Sequence, residues 1–402
     1  MYLCTKICYY KNVSTKSITK FREVNKMQYR KMNKHDKNLS LLGFGTMRFP
    51  TKDGEIDKEE TFKMLDYALA NGVTYYDTAW FYHNYKSEGV LGEWLGTVNR
   101  EELTVIDKLP LWECKTLEEA KELFYKQLEK VGVDYFDFYL CHALSSKRWN
   151  RFKELDVMPF LEQMKAEGKI RHIGFSFHAE LEDFEYIVDD YPWEVALIQL
   201  NYMDVDYQQG FRGYELLTER NIDAIIMEPL KGGKLAKFAP DIEQIFKDYN
   251  PDVSIASWSL RWLASLDNVK VVLSGMSTYD QVDDNLKTMS TFEKMNDEEL
   301  ALIQKVQDEV KSRSKIECTG CDYCMPCPFE VNIPKNFSII NNHAMYLDDR
   351  EAKGGYKSLI RKEADASKCT DCGVCIEKCP QNLDIPNLMK DVEAHIKELE
   401  VK

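Results

Sequence analysis

The chain has 402 residues, 44% of them hydrophobic, and a formal net charge of -14. That length accommodates one large domain with a small one, or three ordinary ones, and the apolar share is enough for a large core. The negative balance argues against nucleic acid or an anionic membrane surface as a partner, because either needs a basic face that releases counterions, and no apolar run approaches the roughly 18 residues that span a bilayer.

No charged-then-apolar signal opens the chain, so the expectation is a cytoplasmic protein. Residues 1–36 are rich in Lys, Ser and Asn, hold Cys4 and Cys8, and show no apolar period; they read as a disordered leader or upstream sequence, with Met27 as an alternative start.

From residue 40 to about 290, strand-like and helix-like patterns alternate. The strands are expected at Leu41–Met47, Thr74–Ala79, Leu103–Leu109, Tyr135–Ala143, Ile170–Phe177, Ala196–Tyr202, Ile222–Leu230 and Val269–Met276, with amphipathic segments such as Lys58–Asn71, Thr116–Val131 and Ser254–Leu266 between them. Strict alternation predicts an α/β fold, a parallel (β/α)8 TIM barrel, with a doubly wound open sheet as the alternative. No Gly-x-Gly-x-x-Gly follows the first strand, which weighs against the open sheet.

Active sites of such barrels lie at the C-terminal ends of the strands. Asp77, Lys108 and His142 fall at or near three successive strand ends, and Tyr82 lies on the loop after the second strand. A phenol is a poor proton donor at neutral pH unless something lowers its pKa, most simply a nearby ammonium held close by a carboxylate, and Lys108 and His142 are the candidates the later strand ends offer. Each residue alone has an ordinary structural reading; the shared placement selects them. Trp80, Phe81, Trp112 and Trp149 are expected to line an apolar pocket nearby or to pack in the core.

Residues 297–313 read as one more amphipathic helix, after which the composition changes. Eight of the twelve cysteines lie in Cys318-x2-Cys321-x2-Cys324-x2-Cys327-Pro328 and Cys369-x2-Cys372-x2-Cys375-x3-Cys379-Pro380. In a signal-free chain such groups are metal sites more often than disulfides. The second run matches the bacterial 4Fe-4S pattern, whose fourth cysteine serves the other cluster, whereas zinc favours Cys pairs separated by a longer loop. In the usual exchange, Cys318, Cys321, Cys324 and Cys379 bind one cluster and Cys369, Cys372, Cys375 and Cys327 the other; the shorter first run leaves a single cluster open. The expected division is a leader over 1–36, a barrel over 37–295, a linking helix over 296–316 and a cysteine-rich domain over 317–402. This last domain includes helix-like Ile333–Tyr346 and resembles a mainly α-helical dicluster ferredoxin.

Over residues 38–295 the chain resembles the aldo/keto reductase family, on Gly43-Phe-Gly-Thr-Met, Asp77-Thr-Ala with Tyr82, Ser87-Glu88, Lys108-Leu-Pro, Tyr139-Leu-Cys-His142, Ile173-Gly-Phe-Ser176, Gln199-Leu-Asn-Tyr, Pro229-Leu, and Gly275 with Asn285. Together with the cysteine-rich end it resembles the branch carrying a C-terminal 4Fe-4S domain. The resemblance implies a catalytic tetrad of Asp77, Tyr82, Lys108 and His142 and hydride transfer between NAD(P)H and a small carbonyl or alcohol substrate. By the same resemblance, Ser176 and Gln199 hold the nicotinamide carboxamide. Gly45, Thr46, Met47, Met227, Leu230, Lys231, Gly232, Gln281 and Asn285 line the dinucleotide. Three positions depart from the family: Phe177 stands where Asn is common, Met227 where an aromatic stacks, and Gln281 where an arginine grips a 2′-phosphate, with Lys231 as a substitute charge. The cofactors implied are NADP(H) or NAD(H) and 4Fe-4S clusters. Three functions fit: a carbonyl reductase wired to a ferredoxin or other electron partner, the same reductase with structural or redox-sensing clusters, and a slow-turnover binding protein.

Overall fold

The computed structural model describes residues 27–401; the leader expected over the preceding residues, with Cys4 and Cys8, lies outside them. Eight parallel strands close into a barrel: β3 (Leu42–Gly45), β6 (Tyr75–Asp77), β7 (Thr104–Leu109), β8 (Phe136–Leu144), β9 (Ile170–Phe177), β10 (Val195–Gln199), β11 (Asp223–Met227) and β12 (Val269–Ser274), which pairs back to β3. These strands fall within a residue or two of the expected starts. Several end sooner, because their last residues leave the ladder to build the mouth: β6 stops at Asp77, β10 at Gln199 and β11 at Met227.

Two antiparallel hairpins flank the barrel strands, β1 (Tyr29–Lys31) with β2 (Asn38–Ser40), and β4 (Thr51–Lys52) with β5 (Glu55–Ile56). The first begins inside the stretch expected to be leader. It closes the N-terminal end of the barrel through long-range polar contacts. Arg30 donates to the carbonyl of Leu266 at 2.8 Å, the Asn33 N–H to Asp223 at the start of β11, and Lys37 to Asp137 near the start of β8 at 2.6 Å.

The pleat decides what each strand shows to the interior. Tyr75, Ile106, Phe138, Leu140, Val195, Leu197, Ile225 and Val271 form one buried cluster at alternate positions. Two residues further along the same face lie Asp77, Lys108, His142, Gln199 and Met227, so the parity that fills the core also aims these groups at the C-terminal mouth. The opposite parity packs against helices: Cys141 meets Met158 of the Val157–Ala166 helix, and Tyr139 donates to Gln127 of the Leu117–Val131 helix. The latter helix is fixed at its start by Thr116, which accepts the Glu119 N–H, and at its end by Gly132 at φ 68°.

By internal contacts the chain forms two compact units. One comprises the chain to Leu200, Asp204–Pro229 and Leu263–Lys294; the other comprises Asn201–Met203, Leu230–Trp262 and the chain from Met295. In the second unit the Asp297–Ser312 helix, opened by an Asn296/Glu299 capping box, buries Ile303, Val306 and Val310 with Phe246 and Trp258. Its C-terminal part has helices Ile333–Tyr346, Asp349–Arg361 and Ile385–Val401 around Phe337, Tyr356, Met389 and Val392. Two of these helices start alike, with Ile333-Pro334 and Ile385-Pro386, each following a cysteine run. Among the described residues no helix is long and apolar enough to cross a membrane.

Candidate functional site

Lys108 sits at the inner face of β7, 1% exposed, and its ammonium donates to Asp77 Oδ1 at 2.6 Å, to the Thr78 carbonyl at 2.7 Å and to Tyr82 Oη at 3.4 Å. Burial works against this charge, but Asp77 and Tyr82 outweigh it, so the Lys108 pKa lies above its ordinary value. The Asp77 carboxyl is raised by burial and drawn down in part by Lys108, and its Oδ2 has no hydrogen-bond partner.

Tyr82 is half-buried and lies on a loop whose next three residues, His83, Asn84 and Tyr85, all have left-handed backbone with φ of 50°, 52° and 65°. Non-glycine residues adopt this conformation at a cost, and hydrogen bonds from the Lys86 and Ser87 N–H groups to the Tyr82 carbonyl hold the turn. The expected lowering of the phenol pKa is corrected by the structure. Burial, the largest influence, holds Tyr82 above the ordinary phenol value, and Lys108 offsets only part of that rise.

His142 is 5% exposed and its imidazole is held well below the usual range, first by burial and then by Lys108. It is neutral at pH 7, stacked on Phe81 at 5.2 Å between ring centroids and flanked by Trp112 at 5.0 Å, with Nδ1 unpartnered. Of the four aromatics expected to line a pocket, Phe81 and Trp112 therefore flank this histidine. Trp80 turns to Tyr85 and Lys130, and Trp149 is core, 1% exposed against Trp193 with its N–H on Asp190.

Ser176 Oγ accepts the Ala143 N–H at 2.7 Å, and Gln199 donates to Asp204 at 3.1 Å while its buried Oε1 has no partner. A primary amide donates N–H and needs just such an acceptor, so these two residues fit a nicotinamide carboxamide. Phe177, by contrast, points to the outer layer and packs on Phe184 at 4.8 Å. It replaces no polar contact at the mouth, because its parity faces the helices.

Thr46 is buried and accepts from Ser87 at 2.6 Å, and Ser87 lies 3.2 Å from Thr78. Gly45 ends β3, and Met47 is 53% exposed. Met227 ends β11 and packs on the inner core. Asn285 is tied to Ser274 of β12 at 3.0 Å, and Gln281 spends its carbonyl on the Ser277 N–H at 2.7 Å. In the second unit Leu230 precedes a kinked turn in which Lys231, Gly232 and Gly233 all have positive φ, and the Lys231 ammonium lies over the Tyr346 ring at 6.0 Å.

The sequence reading missed a buried acid next to Lys108 in the chain. Asp107, on the outer face of β7, accepts the Lys108 N–H at 2.8 Å, and its pKa is raised first by burial and then by Glu88. Glu88 accepts from Gln127 at 3.0 Å and pairs with Lys130 at 2.9 Å. The available signal was a second charged residue, beside Lys108, inside a mainly apolar strand.

The eight C-terminal cysteines line two cavities. One is walled by Cys318, Cys321, Cys324 and Cys379, the other by Cys327, Cys369, Cys372 and Cys375. Ile333 and Ile385 belong to both walls, so the cavities adjoin. None of the eight is in a disulfide. Four converging thiols in an apolar pocket fit an iron–sulfur cluster.

A closed parallel barrel whose mouth gathers an acid, an ammonium, a phenol and a neutral imidazole is the framework of a barrel enzyme. A model described as the Aldo/keto reductase family matches residues 41–308, and one described as a 4Fe-4S dicluster domain matches residues 317–383. The chain belongs to the aldo/keto reductase family, and it is an oxidoreductase with a 4Fe-4S domain C-terminal to the barrel.

It is 22% identical over 311 residues to L-galactose dehydrogenase of Arabidopsis thaliana, covering 72% of this chain and 97% of that one. To the NADH-specific methylglyoxal reductase of Escherichia coli (strain K12) it is 22% identical over 324 residues, covering 69% and 97%. Among solved structures, the holo form of an aldo-keto reductase from Bacillus halodurans superposes with a TM-score of 0.58 at 22% identity, covering 70% and 96%. An aldo-keto reductase from Klebsiella pneumoniae in complex with NADPH gives a TM-score of 0.57 at 18% identity, covering 71% and 95%. These structural likenesses concern the fold.

Proposed function

We propose that this protein reduces small carbonyl compounds with NAD(P)H, that Tyr82 is the proton donor, and that its eight C-terminal cysteines hold two 4Fe-4S clusters that exchange electrons with a ferredoxin or similar partner. The observation that carries the reading is Lys108, whose one ammonium reaches both Asp77 and Tyr82 at the barrel mouth.

A bound nicotinamide supplies the hydride. The protein supplies the proton and the field. Tyr82 is protonated at neutral pH because burial raises its pKa, so the acid form is always available. Lys108 acts on the other side of the transfer, stabilising the phenolate left when the proton has gone to the substrate oxygen. Asp77 keeps the ammonium charged and aimed. Neutral His142, with a free ring nitrogen beside Phe81 and Trp112, orients the carbonyl.

Relatives point both ways on the nucleotide, one being named NADH-specific and one solved with NADPH. Gln281 offers no guanidinium for a 2′-phosphate, which supports use of either. Tyr82→Phe tests the reading. The variant is expected to bind NADPH or NADH as the parent does and to lose carbonyl reduction by about 100- to 10,000-fold; turnover near the parent value ends the assignment.

A further inference from the structure

The N-terminal end of the barrel, away from the mouth, gathers a second set of metal-competent side chains. His35 lies in the turn of the β1–β2 hairpin, His172 is the inward residue near the start of β9, and Glu194 immediately precedes β10. One nitrogen from each histidine and one carboxylate oxygen lie within 4.8 Å of one another. Glu194 Oε2 is 2.9 Å from His172 Nδ1 and 2.5 Å from His35 Nε2, and the two rings are 4.3 Å apart.

We propose that His35, His172 and Glu194 form a binding site for one divalent transition-metal ion of the zinc type, which pins the hairpin to the barrel floor.

Three observations carry this. First, the donor set is two imidazoles and one carboxylate, a combination zinc takes with a solvent molecule in the fourth place. Second, His35 Nε2 is buried and close to Glu194 Oε2, yet it makes no hydrogen bond in that position. Both imidazoles thus converge on one carboxylate oxygen, the three donors gathered where a single ion between them would replace their direct contacts. Third, the rest of the carboxylate is already ordered: its Oε1 accepts from Lys165 at 2.6 Å and from the Ile173 N–H at 2.9 Å, leaving Oε2 for the ion. Asp223, which accepts the Asn33 N–H in the same hairpin turn and lies 3.7 Å from Lys270, adds a second negative group to this end of the barrel.

With bonds of about 2.0–2.1 Å, a tetrahedral ion separates its ligands by roughly 3.3 Å. The two spacings to Glu194 Oε2 therefore open by less than 1 Å on binding, and His172 exchanges its hydrogen bond to Glu194 for a metal bond. The side chain of His35 is 34% exposed, which gives the ion an entry path through the hairpin turn.

The test uses the intact protein purified anaerobically, equilibrated with buffered Zn2+ and freed of unbound metal. Zinc and iron are then counted in the parent and in His35→Ala. The expected result is one zinc per chain in the parent, at least a 10-fold weaker affinity in the variant, and equal iron in both, which shows that the cysteine sites are unchanged. Zinc-edge absorption should show nitrogen and oxygen neighbours near 2.0 Å, not sulfur near 2.3 Å. Equal zinc in both proteins, no zinc in the parent, or sulfur neighbours would overturn the proposal.

Discussion

Lys108 reaches three oxygen atoms while almost wholly enclosed, and the residues around it are charged or neutral according to how they answer that ammonium. Asp77 balances it. His142 cannot add a second positive charge beside it, so burial and Lys108 together keep the imidazole neutral. Because this folded-state pKa lies below the unfolded value of about 6.5, acid favours the unfolded chain, which accepts the proton that the folded site refuses. Stability is therefore fully retained above about pH 6.5 and declines as the pH falls below it. His142→Gln should flatten that part of the profile, as read by denaturant midpoints between pH 5 and 7. Tyr82 gives the opposite sign at the other end. Its raised pKa keeps the phenol protonated past the ordinary value of about 10, so the alkaline limb of kcat/KM for reduction should lie above pH 10; a limb between pH 7 and 9 would mean that Lys108, not burial, dominates.

At the scale of elements, the Ser87–Leu95 helix shows how tightly the outer layer is packed beside the site. A Cβ added at Gly92 would lie 2.6 Å from the Val131 carbonyl oxygen and 2.9 Å from that of Lys130, both backbone atoms that cannot turn aside. Nothing lies within 4 Å of one at Gly89 in the same helix. Gly92→Ala should cost about 1–3 kcal/mol, whereas Gly89→Ala should stabilise by about 0.5–1 kcal/mol. Thermal melts of the two variants should therefore shift in opposite directions. The helix Tyr279–Ser290 offers a test of nucleotide choice. Gln281 sits in its first turn without a charge, and Gln281→Arg should tighten NADPH binding relative to NADH by roughly 10-fold or more, since a charge-assisted bond contributes about 1.5–3 kcal/mol. Fluorescence titration with both nucleotides measures the ratio.

The whole molecule joins an aldo/keto reductase barrel to a 4Fe-4S domain. The two clusters proposed above predict about eight irons per chain, and the grouping of cysteines predicts that Cys379→Ser damages the same cluster as Cys318→Ser, although the two lie far apart in the chain. Iron analysis and the spectra of the single variants check both statements. Adding NADPH anaerobically should bleach the cluster absorbance if the two chemistries communicate, while retained colour during carbonyl reduction would leave the clusters a structural or sensing role.

Much of this was readable along the chain, because strand alternation and cysteine spacing are local patterns and barrel strands place their functional groups at predictable ends. The sequence by itself determined the barrel, the run of polar groups at strand termini and the metal-binding character of the last domain. Tertiary structure alone decided the rest. It turned Phe177 toward the helices and Trp149 into the core through side-chain parity and packing. It also let burial override Lys108 at Tyr82, since desolvation depends on everything that surrounds a group. Finally, it set His35 beside His172 and Glu194, residues whose proximity exists only once the hairpin closes the barrel floor.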